Sequence, residues 1–252
     1  MAVALSTLVE EADRYLSSAK ISDYCPNGLQ VEGRPQVMRI VSGVTASQAL
    51  LDAAVEAEAD LVLVHHGYFW KGENPCITGM KQRRLKTLLK HDISLLAYHL
   101  PLDLHPEVGN NVQLARQLDI TVEGPLDPDN LKIVGLVGSL SEPMTPRDFA
   151  RKVQEVMGRE PLLVEGTAMI RRVGWCTGGG QGYIDQGVAA GVDLFLSGEA
   201  SEQTFHSARE NDISFIAAGH HATERYGVQA LGDYLAKRFA LEHIFIDCPN
   251  PI

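Results

Sequence analysis

The stretch RIVSGVTASQALLDAAVEAEADLVL at residues 39–63 recurs in outline as RVGWCTGGGQGYIDQGVAAGVDLFL at residues 172–196. The two align without a gap, and more positions coincide than chance would give. The identical pairs are Arg39 and Arg172, Gln48 and Gln181, Asp52 and Asp185, Val55 and Val188, Ala57 and Ala190, Asp60 and Asp193, Leu61 and Leu194, and Leu63 and Leu196. Each copy has the pattern of an apolar strand, a small-residue turn, an amphipathic helix and a buried strand. This pattern predicts a βαβ unit, twice.

A second similarity adds one more helix and strand to each copy. HDISLLAYH at residues 91–99 resembles NDISFIAAGH at residues 211–220. A helical pattern precedes each of them, at residues 80–90 and 200–210. Strands that alternate with helices favour mostly parallel or mixed sheets covered by helices on both faces. We therefore predict an α/β fold with two duplicated lobes.

The segment between the two copies is rich in proline and is assigned to the second lobe. We place the first lobe at residues 1–124 and the second at residues 125–252, with an approximate boundary. In the second lobe, LKIVGLVGSL at residues 131–140 predicts a strand. Thr145 is expected to cap the following helix, with Pro146 at its first position.

Composition and charge exclude several classes of protein. No apolar run approaches the roughly 20 residues of a membrane helix, and Glu10 and Glu11 come too early for a signal peptide. We therefore expect a soluble, cytoplasmic protein with no membrane partner. A formal net charge of −10 argues against broad electrostatic binding of nucleic acid. The four cysteines form no CxxC pair, so a thiolate zinc site is not expected.

Polar clusters follow three of the predicted strands. The carboxyl ends of strands in open α/β sheets are where ligands collect. One histidine at such a place is more often structural, but three coincident clusters favour a metal site. The clusters are His65 and His66 after LVLV, His99 and Asp103 after LLAY, and His220, His221 and Glu224 after FIAAG.

The spacing within these clusters indicates how ions would be held. His220 and Glu224 open a predicted helix that continues as RYGVQALGDYLAKRF, so they should lie one turn apart on one face. The adjacent His65 and His66 suit two neighbouring ions better than one. Nitrogen and oxygen ligands without thiolate fit Zn, Mn, Fe, Co or Ni. Such a pair of divalent ions favours hydrolysis as the reaction class.

Longer motifs extend this pattern over nearly the whole chain. They are ISDYCPNGLQVEG (21–33), GVTAS (43–47), VHHGYFWKGE (64–73), YHLPLDLHPEVGNN (98–111), WCTGGGQ (175–181), SGEASEQTFHSARE (197–210) and GHHATER (219–225). In these motifs the chain resembles the GTP cyclohydrolase 1 type 2 homologues and the related NIF-three-like proteins. The resemblance implies a dinuclear metal centre on His65, His66, Asp103, His220 and Glu224. It also implies two intertwined α/β repeats with the metal ions between them, assembled as a ring-shaped homohexamer.

The same resemblance implies a metal-dependent hydrolase that acts on a nucleotide, with opening of the guanine ring of GTP as the specific version. A triphosphate would need a cradle, for which the loop at residues 177–180 and the pair Arg83 and Arg84 are candidates. The glycine loop also reads as a tight turn from strand to helix. Candidates for proton transfer or ligand orientation are His99, Glu199 and His206, each of which also fits a structural hydrogen bond.

Two other functions remain open at this point. Dinuclear sites of histidine and carboxylate also serve phosphoesterases and peptidases. The chain would alternatively be a metal-binding scaffold or adaptor without turnover. The sequence does not choose among these three.

Overall fold

The computed structural model describes residues 2–130 and 132–252. The chain forms two compact units, each made of two segments. Unit 1 comprises Met1–Gly109 and Gly227–Cys248, and unit 2 comprises Asn110–Tyr226 and Pro249–Ile252. The lobe limits at residues 1–124 and 125–252 refer to the sequence repeat and stay a prediction.

Strands and helices alternate along most of the chain. The strands are β1 (Val3–Ala4), β2 (Gly28–Val31), β3 (Gln36–Val37), β4 (Arg39–Thr45), β5 (Leu61–His66), β6 (Ser94–Ala97), β7 (Ile120–Pro125), β8 (Leu136–Met144), β9 (Leu162–Val164), β10 (Ile170–Cys176), β11 (Leu194–Ser197), β12 (Ser214–Ala217) and β13 (Glu242–Phe245). The α-helices are α1 (Leu5–Leu16), α2 (Gln48–Glu56), α3 (Gly79–Lys90), α4 (Leu100–Leu104), α5 (Asn110–Gln117), α6 (Pro146–Met157), α7 (Ile184–Ala189), α8 (Glu202–Glu210), α9 (His220–Thr223) and α10 (Arg225–Phe239). Short 3₁₀ helices occupy Ser18–Lys20 and Gln181–Tyr183.

The main sheet of unit 1 has the strand order β13-β4-β5-β6-β2. The first four strands are parallel, and β2 pairs antiparallel with β6 at the edge. Strands β1 and β3 form a separate antiparallel pair. The predicted unit β4-α2-β5 is confirmed, as is the third strand β6 with its preceding helix α3.

Both faces of this sheet are covered, which explains the uninterrupted apolar run of β5. Leu61 and Leu63 belong to a buried cluster that includes side chains of α1 and α10. Val62 and Val64 belong to another, with side chains of α2 and α3. Successive strand residues point to opposite faces, so a strand with helices on both sides must be apolar throughout.

Unit 2 is built on a six-stranded sheet with the order β7-β8-β10-β11-β12-β9. Strands β10, β11 and β12 are parallel, and the remaining pairs are antiparallel. Phe149 and Val153 of α6 pack with Trp175 in one buried cluster. The rings of Phe195 and Phe215 stack with centroids 6.4 Å apart. The second predicted unit, β10-α7-β11, is confirmed, and the α/β fold with parallel and mixed sheets is therefore as expected.

Each copy of the repeat contains the same hydrogen-bonded contact near the start of its first strand, which we call the latch. In each copy, one aspartate accepts hydrogen bonds from two successive backbone N–H groups. The sets are Asp60 with Met38 and Arg39, at 2.7 and 3.0 Å, and Asp193 with Arg171 and Arg172, at 2.9 and 2.8 Å. The identity of these aspartates in the alignment therefore has a structural cause.

Local predictions in the second half are also met where the structure describes them. Thr145 caps α6 by accepting a hydrogen bond from the backbone N–H of Asp148, and Pro146 begins the helix. The strand expected within residues 131–140 is part of β8, which starts at Leu136, whereas Leu131 lies outside the described residues. Among the described helices, none has the length and apolar character needed to cross a bilayer.

Candidate metal centre

His65 and His66 end β5 in unit 1, and both still belong to the strand. The side chain of His65 is buried and that of His66 is partly buried. Their ring centroids are 4.5 Å apart, with the ring planes tilted by 45°. Adjacent strand residues normally point to opposite faces. Here the two imidazoles nevertheless lie side by side at the end of the strand.

A hydrogen bond fixes the orientation of the His65 ring. Its Nδ1 lies 2.9 Å from the backbone oxygen of Tyr98. Because a carbonyl oxygen only accepts, Nδ1 carries a proton, and in the neutral form of the ring the lone pair is on Nε2. Nε2 lies 3.6 Å from Oδ1 of Asp103, which is also buried. A lone pair that faces a carboxylate is stabilised only by a proton or a cation between them.

His66 and His99 complete a group around His65. Nδ1 of His66 lies 3.2 Å from Oγ1 of Thr45. One nitrogen from each of the three imidazoles lies within 4.8 Å of the others. The structure thus brings together three of the residues predicted at strand ends, with Asp103 against one of them.

His99 is held by a residue that the sequence analysis did not single out. Its Nδ1 lies 3.0 Å from Oδ1 of Asp23, and its backbone N–H donates to Oδ1 of Asn27 at 2.7 Å. Burial alone would raise the pKa of Asp23, but hydrogen bonds from His99 and Asn27 outweigh it and hold that pKa well below its usual range. Asp23 is therefore ionised. Its only signal in the sequence was its place in the motif ISDYCPNGLQVEG.

Cys25 lies beside the pair formed by His99 and Asp23. Its Sγ, a carboxylate oxygen of Asp23 and a ring nitrogen of His99 lie within 4.8 Å of one another. Burial, reinforced by the negative charge of Asp23, raises the pKa of the Cys25 thiol to about 12. In the metal-free protein Cys25 is therefore a neutral thiol.

In unit 2, His220 lies between two carboxylates. Its Nδ1 is 2.6 Å from Oε1 of Glu199, and its Nε2 is 3.2 Å from Oε2 of Glu224. Burial of the ring disfavours its charged form, but Glu224 and Glu199 outweigh burial and raise the pKa of His220 to about 9. The metal-free ring is therefore an imidazolium at neutral pH. Glu199, a predicted candidate, is thus the residue that orients His220.

The helix predicted to run through His220 and Glu224 is interrupted, which corrects the sequence analysis. The helix α9 ends at Thr223, and α10 begins at Arg225. The hydroxyl of Thr223 donates to the backbone oxygen of His220 at 2.9 Å, while the N–H of Glu224 donates to that of His221 at 3.2 Å. The last turn is therefore tightened to the 3₁₀ type. His220 and Glu224 still meet, although not on one continuous helix.

The glycine loop at residues 177–180 packs directly on this pair. Gly178 has a left-handed φ of 64°, and a Cβ built on it would overlap Oε1 of Glu224. Its N–H donates to Oγ1 of Thr223 at 3.0 Å, and its oxygen accepts from Oγ of Ser197 at 3.1 Å. This N–H is engaged within the protein, so Gly178 acts as a close-packed turn beside the carboxylate. The structure gives no support to a phosphate cradle at this glycine.

Three other predicted residues lie away from these groups. His206 is exposed on α8, where its ring contacts that of Phe205 with centroids 5.4 Å apart. Arg83 lines an open cavity of about 510 Å³ between α2 and α3, in which the cations of α3 face Asp52 and Glu56. Arg84 is partly buried on α3. A catalytic role for His206 and a phosphate-binding role for these arginines stay predictions.

The donor atoms in each unit fit a divalent cation. Both groups pair an imidazole Nε2 with a carboxylate oxygen, and both satisfy Nδ1 with an acceptor that fixes the ring. Acceptors behind a ligating histidine orient its ring and raise its basicity. Imidazole and carboxylate ligands suit Zn, Mn, Fe, Co and Ni alike. These clusters of His, Asp and Glu could therefore hold metal ions.

Comparison with known proteins extends over the whole chain. A family model described as Duf34/NIF3 (NGG1p interacting factor 3) matches residues 3–251. A Pseudomonas aeruginosa protein named "GTP cyclohydrolase 1 type 2 homolog" is 80% identical over 251 residues, covering 100% of both chains. A solved structure described as protein ybgI, of unknown function, has a TM-score of 0.95 at 53% identity and covers 99% of this chain and 100% of its own. A structure from Thermus thermophilus has a TM-score of 0.89 at 35% identity, covering 99% of this chain and 100% of its own.

Proposed function

The chain belongs to the Duf34/NIF3 family, as its motifs predicted, and on this premise we propose that it is a metal-dependent hydrolase that acts on a nucleotide. Two divalent ions would be held by a single centre. Its ligands would be His65, His66, Asp103, His220 and Glu224.

One observation carries this proposal. In each unit a histidine has its Nδ1 satisfied by an acceptor while its Nε2 faces a carboxylate oxygen, at 3.6 Å for His65 and Asp103 and at 3.2 Å for His220 and Glu224. At His65 the Nε2 lone pair and the Asp103 carboxylate would repel each other unless a positive charge lay between them. At His220 a proton already lies between the ring and Glu224, because the metal-free ring is an imidazolium. A divalent ion would supply the positive charge in both places and would replace the proton of His220. Imidazole and carboxylate are common ligands of divalent metal ions. His65, Asp103 and Glu224 are buried, whereas His220 is partly exposed.

The chemistry that divalent ions supply when bound is Lewis acidity, which polarises substrate oxygen and acidifies water. The protein would contribute proton transfer. His99 donates from Nδ1 to the ionised Asp23, which leaves Nε2 as the ring nitrogen that can exchange a proton. A histidine held in this way is suited to accept a proton from water and to return it to a leaving group.

GTP is the first substrate to test, because the relatives are named as homologues of a GTP cyclohydrolase. Hydrolytic opening of the guanine imidazole ring consumes water, and a second hydrolysis releases formate. Protein loaded with Zn²⁺ or Mn²⁺ should then lower the purine absorbance and produce formate. Glu224→Gln should abolish both changes while the protein stays folded. Absence of turnover with all of Zn²⁺, Mn²⁺, Fe²⁺, Co²⁺ and Ni²⁺ would exclude this substrate.

The same assay separates the other functions. Turnover of simple phosphoesters or peptides without reaction of GTP would identify a phosphoesterase or peptidase. Stoichiometric metal binding with no turnover of any of these would support a metal-binding scaffold or adaptor.

The number of bound metal ions tests whether the five proposed ligands form one centre. His66→Ala and Glu224→Gln change ligands in different units. If all five side chains serve one dinuclear centre, each variant should weaken the binding of both ions. If the units bound ions independently, each variant would lose one ion and keep the other at wild-type affinity.

We also propose that the chain assembles as a homo-oligomer, as a ring-shaped hexamer. The support is the family membership and the identity shared with relatives over the full length. Sedimentation equilibrium should then give six times the 27.5 kDa mass of one chain. A monomeric mass would overturn this proposal and leave the hydrolase proposal intact.

A further inference from the structure

Two aromatic rings border the histidine group of unit 1. The ring centroid of Tyr24 lies 5.0 Å from that of His99, and the ring centroid of Trp70 lies 5.1 Å from it. Trp70 is also 5.9 Å from His66, and 5.8 Å from Tyr24. Tyr24 keeps 53% of its surface exposed and Trp70 is partly buried. Large aromatic rings therefore lie at the surface next to imidazoles that could bind a metal ion.

Hydrogen bonds fix the backbone at Tyr24 and the ring of Trp70. The backbone N–H of Lys71 donates to the oxygen of Tyr24 at 2.7 Å, which ties the two loops together. The N–H of Tyr24 donates to Oδ1 of Asp23 at 2.7 Å. The indole N–H of Trp70 donates to the backbone oxygen of Gly67 at 3.2 Å. Because the indole N–H is used internally, Trp70 can offer a ligand mainly its ring surface.

Phe69 provides an independent sign that this loop has a function beyond folding. It has a left-handed φ of 66° and leaves 37% of its surface exposed. Bulky side chains rarely adopt this conformation, and such strain is concentrated at functional sites. Nζ of Lys81 lies 4.9 Å from the Phe69 ring centroid and 3.3 Å from Oε2 of Glu73, so the strained residue is also held in place.

We propose that Tyr24 and Trp70 form a stacking surface for the planar heteroaromatic ring of a small-molecule ligand, whose polar edge meets His99. This inference rests on the proposed function and adds the residues that would recognise a base. Aromatic side chains stack on any nucleobase, because every base has a π face. Nε2 of His99, whose Nδ1 is held by Asp23, would bind a ring nitrogen or an exocyclic group of the ligand. A phosphate chain would instead need cations or N–H groups, which these two rings do not offer.

Tryptophan fluorescence can test the proposal directly, because the chain has two tryptophans and they differ in environment. Trp175 is buried in the core of unit 2, whereas Trp70 is partly exposed. Guanosine and adenosine should quench the emission of metal-free and metal-loaded protein with saturation. Inorganic tripolyphosphate should not. Trp70→Phe should remove the quenching, since Trp175 would be the remaining emitter.

Affinity measured by calorimetry tests the stacking itself. Tyr24→Leu and Trp70→Leu should each weaken binding of guanosine by roughly 5- to 150-fold, the range expected for loss of one stacked ring. Tyr24→Phe keeps the ring and should retain most of the affinity. Phe205→Leu removes a similarly exposed aromatic ring elsewhere, on α8, and should leave affinity unchanged.

The outcomes separate this inference from the hydrolase proposal. If nucleosides bind as described but metal-loaded protein turns over no substrate, the stacking surface stands and the hydrolase proposal fails. If GTP is hydrolysed and both leucine variants keep the wild-type affinity and KM, the hydrolase proposal stands and the stacking surface is refuted. Failure of the wild type to bind either nucleoside would also overturn it.

Discussion

The Nδ1 atom of His220 lies 2.6 Å from Oε1 of Glu199, so this carboxylate fixes the ring from the side opposite Glu224. The arrangement explains why Glu199 belongs to the motif SGEASEQTFHSARE without being one of the five proposed ligands. In unit 1 the backbone oxygen of Tyr98 has the same role behind His65. The two units thus orient their histidines with chemically different acceptors.

This difference yields a prediction for Glu199→Gln. The glutamine oxygen can still accept the hydrogen bond from Nδ1, but the negative charge that raises the basicity of His220 is lost. Metal affinity should fall by roughly 10- to 100-fold, the range for changes behind a ligating histidine. Competition with a chromophoric chelator would measure it. Glu202→Gln, on the exposed start of α8, is the matched control, and equal affinities for the two variants would contradict the prediction.

Gly178→Ala should disturb the same site by steric overlap. A Cβ at this position would overlap the Glu224 carboxylate, and the left-handed φ of 64° adds backbone strain. The protein should lose about 1–2 kcal/mol of stability from the strain alone, and it should also lose metal affinity. Urea unfolding and chelator competition would measure the two effects separately.

Gly158 offers a control with the same strain and no overlap. It ends α6 with a φ of 71°, and nothing lies within 4 Å of a Cβ built there. Gly158→Ala should cost similar stability while metal affinity stays at the wild-type value. Metal affinity that falls equally in both variants would show that global destabilisation, and not contact with Glu224, is the cause.

Replacing the latch aspartate should lower the free energy of unfolding by different amounts in the two copies of the repeat. Asp60 is buried, accepts two backbone N–H bonds and also pairs with Arg34 at 2.8 Å. Asp60→Ala removes the acceptor of both backbone N–H groups and the ion pair with Arg34, and it should cost about 3 kcal/mol in free energy of unfolding. Asp193 is only partly buried, so Asp193→Ala should cost about 1–2 kcal/mol.

Urea midpoints would check both values. The exposed Asp52 lies on α2 of the same repeat, and Asp52→Ala should change stability by less than about 0.5 kcal/mol. If Asp60→Ala is no more harmful than Asp52→Ala, the latch does not stabilise the fold.

Much of the fold could be predicted because its signals are local or repeated. The apolar runs of β5 and β11 require burial on both faces, and Thr145 with Pro146 marks a helix start by its own chemistry. Other elements depend on distant partners. GLQV at residues 28–31 follows a turn and becomes strand β2 through pairing with β6. EHIF at residues 242–245 is a strand because it adds to the edge at β4.

The sequence predicted which residue types would form the candidate site, but not which residues hold them in position. Histidines at strand ends can be identified because the ends of the strands can themselves be predicted from the sequence. The contact of Asp23 with His99 joins residues far apart in the chain, and no spacing rule links them. The break at Glu224 arises from the Thr223 hydroxyl, which competes for the backbone oxygen of His220. Whether a side chain competes in this way depends on packing in the folded protein, and the helical pattern of the sequence gives no sign of it.

Glu11 should make the stability of unit 1 depend on pH. Its carboxylate accepts hydrogen bonds from Arg14 on the same helix at 2.7 Å and from Tyr234 on α10 at 2.6 Å, which lower its pKa from 4.5 to about 2. Because the folded pKa is the lower one, this stabilisation is complete above pH 4.5 and is lost as the pH falls toward 2. The difference in urea midpoint between wild type and Glu11→Gln should therefore be constant near neutrality and vanish near pH 2. Glu10 is exposed on the same helix, and Glu10→Gln should have the urea midpoint of the wild type at every pH. A difference that grows as the pH falls would have the wrong sign and would show that the Glu11 carboxylate destabilises the folded protein.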